Sequence, residues 1–277
     1  MHSVFCSTGA FIGRLNGRDF RLLKDFYPKL ECDGIELMIH ASWYPEAGDL
    51  IRLCKEQHIH VPVLHCEKTL AERISRGGEE ETAEAMRLFR INCEIAEQTG
   101  ADRIVLHLWN GLISDSRFEN NLAAFGALQK EATNHGLDLL VENVVCRKDP
   151  MTHWKELREV YPDIHFVFDT KMAAFHHQLD LLYVPEFEWL TGEGHIRHYH
   201  VNDYGGGYMD WDHLQVLRIG DGHIDFDKFF NYVRQTEYRG DFTLEGTGFD
   251  PDGTVRFDLL NEQFAKVRRM IGTPNNR

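Results

Sequence analysis

The sequence predicts a (β/α)₈ barrel, because eight short apolar runs alternate with longer amphipathic segments along 277 residues. The short runs are rich in β-branched and aliphatic residues, as buried parallel strands are. No linker-like stretch or shift in composition marks a boundary, so we expect one domain spanning residues 1–277. A doubly wound open sheet is the alternative, but its glycine-rich phosphate turn is poorly matched by "STGAFIG" after the first run.

The predicted strands are short and evenly spread along the chain. In order they are "SVFCST" (3–8), "GIELMI" (34–39), "HVPVLHC" (60–66), "RIVLHLW" (103–109), "DLLVENV" (138–144), "HFVFDT" (165–170), "IRHYHVN" (196–202) and "DFTLEGT" (241–247). Their apolar character on both alternating faces predicts strands that are covered on one side by helices and on the other by the barrel interior.

Three helices are predicted most clearly. Residues 79–100 begin with acidic side chains, which favour a helix N-terminus, carry a broad apolar face and stop at Gly100. Residues 117–136 follow the same pattern and stop at Gly136, and residues 255–272 form the last helix.

Composition narrows the range of partners. The net charge of −14 and the pI near 5.5 disfavour nucleic acid and anionic membranes. The six cysteines form no CxxC pair and several lie in apolar runs, which indicates buried thiols rather than disulfides. The first residues resemble no signal peptide and no apolar run reaches membrane-spanning length, so we expect a cytoplasmic protein. The chain contains 16 histidines, and some of them are candidate metal ligands.

Six predicted strands carry a strongly polar residue near their C-terminal end. A buried charged side chain is costly unless it is paired, and a barrel brings all these strand ends to one face. Taken singly, a histidine could be a satisfied core residue and a carboxylate could cap the next helix. Together they predict a site for Zn²⁺, Mn²⁺ or Co²⁺ shared by at least four of the six. The residues are His65, His107, Glu142, Asp169, His200 and Glu245.

The motifs "VPVLH", "RIVLH", "LLVEN", "FVFDT", "HYHVN" and "FTLEG" resemble the xylose isomerase-like barrel superfamily of sugar isomerases, epimerases and endonuclease IV. The resemblance covers residues 3–272, and "LRIGDGHIDFDKF" is similar to the loop that precedes the last strand of that family. In the epimerase branch, one metal is held by Glu, Asp, His and Glu from strands five to eight. The resemblance therefore implies a metal site made of Glu142, Asp169, His200 and Glu245.

The resemblance to endonuclease IV implies a second metal as an open alternative, because His65 and His107 match its ligands on strands three and four, with Glu142 bridging. The third nuclease metal lacks its ligands. Met172 stands where that family has a histidine, and "YMDWDHL" after strand seven contains no Asp-x-His. Ketose 3-epimerases also carry a substrate-contacting histidine at the position of Met172, which indicates a subgroup with its own substrate.

The predicted function is a metal-dependent isomerase or epimerase that acts on a sugar or sugar derivative. The resemblance implies proton transfer next to a carbonyl through a metal-stabilised enediolate, with Glu142 and Glu245 as the acid–base pair. An endonuclease IV-like phosphodiesterase acting on abasic DNA is the alternative, and a non-catalytic sugar-binding protein is a third hypothesis. Homo-oligomer formation is left open. The predicted substrate-binding residues are Glu36, Trp109, Lys171 and Arg218.

The segment "HIRHYHVND" contains three histidines with different expected roles. Side chains alternate along a strand, so His198 and His200 share one face. We expect His200 to be the metal ligand, His198 to support it from one layer deeper, and His195 to precede the strand at the opposite end of the barrel.

Overall fold

The computed structural model describes residues 2–111 and 115–272, and its eight parallel strands form a closed barrel in chain order. The predicted fold class is therefore confirmed. Each predicted run contains one strand, and each strand is shorter than its run. The strands are β1 (Val4–Ser7), β2 (Ile35–Met38), β3 (Val63–His65), β4 (Arg103–Leu106), β5 (Asp138–Glu142), β6 (His165–Asp169), β7 (Ile196–Val201) and β8 (Asp241–Leu244).

Helices follow the strands, with short 3₁₀ turns in the loops. In the described part of the chain the α-helices are α1 (Leu23–Phe26), α2 (Ala47–Glu56), α3 (Leu70–Arg76), α4 (Glu79–Thr99), α5 (Phe118–Asn134), α6 (Pro150–Val160), α7 (Thr170–Phe175), α8 (Trp189–Gly192), α9 (Phe226–Gln235) and α10 (Phe257–Gly272). The three helices predicted most clearly correspond to α4, α5 and α10.

Local sequence signals set the ends of these helices. Helix α4 stops because Gly100 adopts a left-handed conformation with a φ of 87°, which residues with a side chain rarely take. Helix α6 begins after Asp149, whose carboxylate accepts the Thr152 backbone N–H at 2.8 Å, with Pro150 in the first turn.

The residues group into two compact units: Glu36–Val167, called unit B, and Met1–Ile35 with Phe168–Arg277, called unit A. In unit B, strands β3, β4 and β5 pair in parallel, with His65 opposite Val105 and Leu106 opposite Val141. Helix α6 covers β6 through Trp154, whose indole stacks on Phe166 with the ring centroids 4.2 Å apart. The single-domain assignment stays a prediction.

In unit A, β8 pairs with β1 on one side and with β7 on the other. Tyr199 of β7 and Phe242 of β8 stack with their ring centroids 5.6 Å apart, and Phe229 of α9 meets Tyr199 edge-on at 5.3 Å. These aromatic contacts bury the apolar face of α9 against the strands.

All six cysteines are thiols outside any disulfide, and all except Cys32 are buried, as the sequence predicted. Burial raises the pKa of the Cys54 and Cys93 thiols to about 12. Among the described residues, no helix is both long and apolar enough to cross a lipid bilayer.

Candidate metal centre and active site

Unit B brings three of the predicted ligands together. Strand register explains the encounter: Leu106 lies opposite Val141, so the next residues, His107 and Glu142, project side by side from β4 and β5. His65 ends β3 on the same face. One ligand atom from each of these three side chains lies within 4.8 Å of the others.

The Glu142 carboxylate holds both imidazoles. Its Oε2 lies 2.7 Å from Nε2 of His107 and 3.3 Å from Nε2 of His65. Burial lowers the pKa of His107 to about 4, and the neighbouring Glu142 charge offsets this shift only in part. His107 is therefore neutral at pH 7, the form in which an imidazole can bind a metal.

Two predicted substrate-binding residues of unit B are more deeply buried than the sequence suggested. Glu36 lies opposite Val63 on the neighbouring strand, one layer below His65, and has no solvent exposure, so it is not a rim carboxylate. Trp109 is also fully buried. Its indole N–H donates to the Val144 carbonyl at 2.6 Å, and its ring packs on Phe118 and His153. This environment is that of a core tryptophan, and contact of Trp109 with a substrate stays a prediction.

Unit A brings together the other three predicted ligands around an amide. Asn202 donates from Nδ2 to Oδ2 of Asp169 at 3.1 Å and to Oε2 of Glu245 at 3.0 Å. His200 Nδ1 lies 3.7 Å from Oε1 of Glu245. The remaining oxygen of Asp169 accepts the Met172 backbone N–H at 2.7 Å, so this carboxylate also caps helix α7.

Asn202 is one of two residues beside the predicted ligands that the sequence analysis did not single out. It follows His200 by two positions, and the alternation along β7 places both side chains on one face. The sequence signal was present in "HYHVN", but an uncharged amide does not stand out as a ligand. Its role is to orient two carboxylates that would otherwise repel each other.

Asp203, which was also missed, organises the loop before the last helix–strand pair. Its Oδ1 accepts the backbone N–H groups of Tyr204 at 2.8 Å and Ile224 at 3.0 Å. Its Oδ2 accepts those of Gly220 at 2.8 Å and Gly222 at 3.0 Å. The G-x-G spacing therefore lets the backbone wrap closely around the buried Asp203 carboxylate.

The backbone of Arg218 lies beside the candidate site, whereas its side chain pairs with Asp221. A Cβ placed on Gly246 would lie 3.0 Å from the Arg218 Cα, so this loop passes directly beside the residue after Glu245. The Arg218 Nε donates to Asp221 at 2.9 Å, and the guanidinium is partly exposed. Its assignment to substrate binding stays a prediction.

The first turn of α7 contains Lys171, which is only 5% exposed, and Met172, which is also buried. A buried ammonium is costly unless an anion or polar group compensates it. Lys171 is therefore not a solvated lysine at the barrel rim, and its contact with substrate oxygens stays a prediction.

Nε2 of His198 forms a 2.8 Å hydrogen bond with the Thr243 hydroxyl. The His198 ring stacks on Phe5, one layer below His200. This is the deeper, supporting position that the alternation predicted. His195 immediately precedes β7 and contacts Glu193 and Trp189.

The donor set fits a divalent metal. Its groups are imidazole nitrogens and carboxylate oxygens, which Zn²⁺, Mn²⁺ and Co²⁺ take as ligands. In the described parts of the chain, the buried Nδ1 of His107 has no hydrogen-bond partner. A cation compensates buried carboxylates that share a site, and without one their mutual repulsion is costly.

The sequence profile of the xylose isomerase-like TIM barrel family matches residues 25–261. The chain belongs to this family, as its strand-end motifs indicated. No curated protein matches the sequence.

Several solved structures share the fold. The D-allulose 3-epimerase from Methylomonas sp., in complex with D-allulose, is 15% identical with a TM-score of 0.68, covering 97% of each chain. The 3-keto-D-glucoside 4-epimerase YcjR from E. coli is 15% identical with a TM-score of 0.67, covering 97% of this chain and 99% of that one. The IolI protein with a bound zinc atom is 16% identical with a TM-score of 0.65, covering 97% and 96%. At these identities the likeness establishes the fold.

Proposed function

We propose that the protein is a metal-dependent isomerase or epimerase of a sugar or sugar derivative. The observation that carries the proposal is the Asn202 amide, which holds the buried carboxylate of Asp169 and the partly exposed carboxylate of Glu245 together beside His200. A protein does not gain stability by gathering such acids, so the arrangement favours a bound cation. The sugar epimerases among the structures of the same fold support the substrate class.

The proposed metal ligands are Glu142, Asp169, His200 and Glu245, each of which lies within one residue of the C-terminal end of its strand, from β5 to β8. These strands are consecutive in the closed order, and the set is the one that the family resemblance implies. When bound, the metal supplies Lewis-acid stabilisation of the negative charge that develops on the substrate oxygens.

The chain itself supplies the proton transfer. A carbon next to a carbonyl is a weak acid, and a carboxylate must lie within hydrogen-bond reach to remove its proton. Glu245 is the accessible base, because its side chain is 11% exposed while those of Glu142 and His200 are at most 1% exposed. Epimerisation needs Glu142 and Glu245 on opposite faces of the substrate, whereas isomerisation needs one of them to shuttle the proton between two carbons.

A second metal is a further proposal, favoured by the geometry of unit B. His65, His107 and Glu142 offer three ligand atoms within 4.8 Å of one another. Elemental analysis distinguishes one metal from two. If a second ion binds, the double variant His65→Ala/His107→Ala loses about one equivalent and Asp169→Asn/His200→Ala loses the other.

The function is tested by solvent exchange. Ketoses, aldoses, cyclitol ketones and their phosphates are incubated with the Mn²⁺-loaded protein in D₂O and followed by proton NMR. Proton transfer predicts loss of the signal from the carbon-bound hydrogen beside the carbonyl, and Glu245→Gln should abolish it while the protein stays folded. Binding without exchange across the panel would favour a sugar-binding protein, and cleavage of abasic DNA in a gel assay would favour the nuclease alternative.

A further inference from the structure

A second group of side chains of the types that bind metals lies in unit B and shares no residue with the proposed active site. It consists of Asp115, Cys146 and His153, called the thiol cluster below. Asp115 begins the 3₁₀ helix Asp115–Arg117, Cys146 lies in the loop after β5, and His153 lies in the first turn of α6. Three separate segments therefore contribute one donor each.

The thiol cluster is enclosed. Asp115 is 5% exposed, Cys146 is 0% exposed and His153 is 1% exposed. One ligand atom of each lies within 4.8 Å of the other two. In a tetrahedral zinc site with bonds of roughly 2.0–2.3 Å, ligand atoms are about 3.3–3.8 Å apart. Coordination by these three residues therefore requires movements of only about 1 Å.

The surroundings of the thiol cluster match those of protein metal sites. Nδ1 of His153 lies 3.3 Å from the Glu156 carboxylate, which leaves Nε2 to face Asp115. Metal-binding histidines commonly contact such a carboxylate through their second nitrogen. One oxygen of Asp115 accepts the backbone N–H groups of Arg147 at 2.8 Å and Lys148 at 3.4 Å, so the other oxygen faces His153.

We propose that Asp115, Cys146 and His153 bind a divalent zinc-like metal ion that is separate from the ion of the active site. Thiolate and imidazole donors select Zn²⁺ over Mn²⁺ or Mg²⁺, and water can complete a tetrahedron. Binding converts the Cys146 thiol to a thiolate and releases one proton to solvent. The ion ties the loop after Glu142 to helix α6 and to the segment before α5, so its role is structural.

The alternative is a metal-free hydrogen bond between Asp115 and His153 with Cys146 as a packing residue. Cobalt distinguishes the two, because a Co²⁺–thiolate bond produces an intense ultraviolet charge-transfer band. None of the proposed active-site ligands contains sulfur, so the band reports on the thiol cluster alone. We expect the Co²⁺-loaded protein to show it, Cys146→Ser to lose it, and Cys93→Ser, which alters an equally buried thiol on α4, to keep it.

Zinc content provides the second measurement and covers the case in which Cys146→Ser fails to fold. His153→Gln retains the thiol and should bind about one zinc fewer per chain than the wild type. Glu245→Gln should keep the charge-transfer band, which separates failure of this proposal from failure of the proposed function. Absence of the band in the cobalt-saturated wild type, or its survival in Cys146→Ser, would overturn the inference.

Discussion

Replacing Asn202 by alanine tests whether an uncharged amide organises the proposed metal ligands. The Asn202 Nδ2 donates to Asp169 at 3.1 Å and to Glu245 at 3.0 Å, and the residue is fully buried. A hydrogen bond to a charged group contributes about 1.5–3 kcal/mol. Part of this loss is recovered because the two carboxylates can turn towards other partners. We expect the free energy of unfolding to fall by about 2–4 kcal/mol.

The decisive measurement for Asn202→Ala is metal affinity, determined by competition with a chelator of known affinity. Loss of groups that orient metal ligands typically weakens binding by about 10–100-fold, and we expect a change in this range. Asn121→Ala is the matched control, because Asn121 is equally buried and its amide donates to the backbone carbonyls of Ala71 and Leu108 instead of carboxylates. It should lose stability and keep its metal affinity.

An Asn202→Ala protein that binds Mn²⁺ and Zn²⁺ within about twofold of the wild type would refute an organising role for this amide. A second refuting result is an equal loss of affinity in Asn202→Ala and Asn121→Ala, because the effect would then be a general consequence of lower stability. Thermal unfolding in excess chelator separates the two contributions, since it measures the stability of each variant without metal.

Three further predictions concern the loop, the thiols and the buried lysine. Gly222→Ala should lower the free energy of unfolding, measured by chemical denaturation, by at least about 2 kcal/mol, because the added Cβ would lie 2.4 Å from the Tyr204 carbonyl oxygen and 2.5 Å from the Asp203 carboxylate. Gly207→Ala is the control and should be neutral, because a Cβ added there would have no atom within 4 Å. Raising the pH should lower the melting temperature between about pH 9 and 12. The reason is that the pKa of the Cys54 thiol is raised to about 12 in the folded protein, so the unfolded chain loses this proton first. Cys54→Ala should make the melting temperature depend less steeply on pH. Lys171→Met should raise KM for the substrate found in the exchange screen at least tenfold, measured at a temperature at which the variant is still folded. An unchanged KM would remove Lys171 from the substrate site.

The sequence by itself determined the barrel and the level, along its strands, of the candidate site residues. Periodicity is local: a strand that is covered on both sides must be apolar, and a helix end needs a suitable residue such as Gly100. Strand-end side chains such as Glu142 and His200 are recognisable in the same way, because a strongly polar residue at the end of an apolar run stands out. Both kinds of signal depend on neighbours within a few positions, so they can be recognised in the sequence without the tertiary structure.

Only the tertiary structure decided which partner each polar side chain meets. Asn202 joins Asp169 to Glu245, residues 33 and 43 positions away, and Asp203 collects amides up to 21 positions downstream. Likewise, the contact between Asp115 and His153 spans 38 positions. Strand register and loop path set such contacts, and neither leaves a periodic trace in the sequence. An amide, a lone thiol or a glycine acquires its role from what the fold brings beside it.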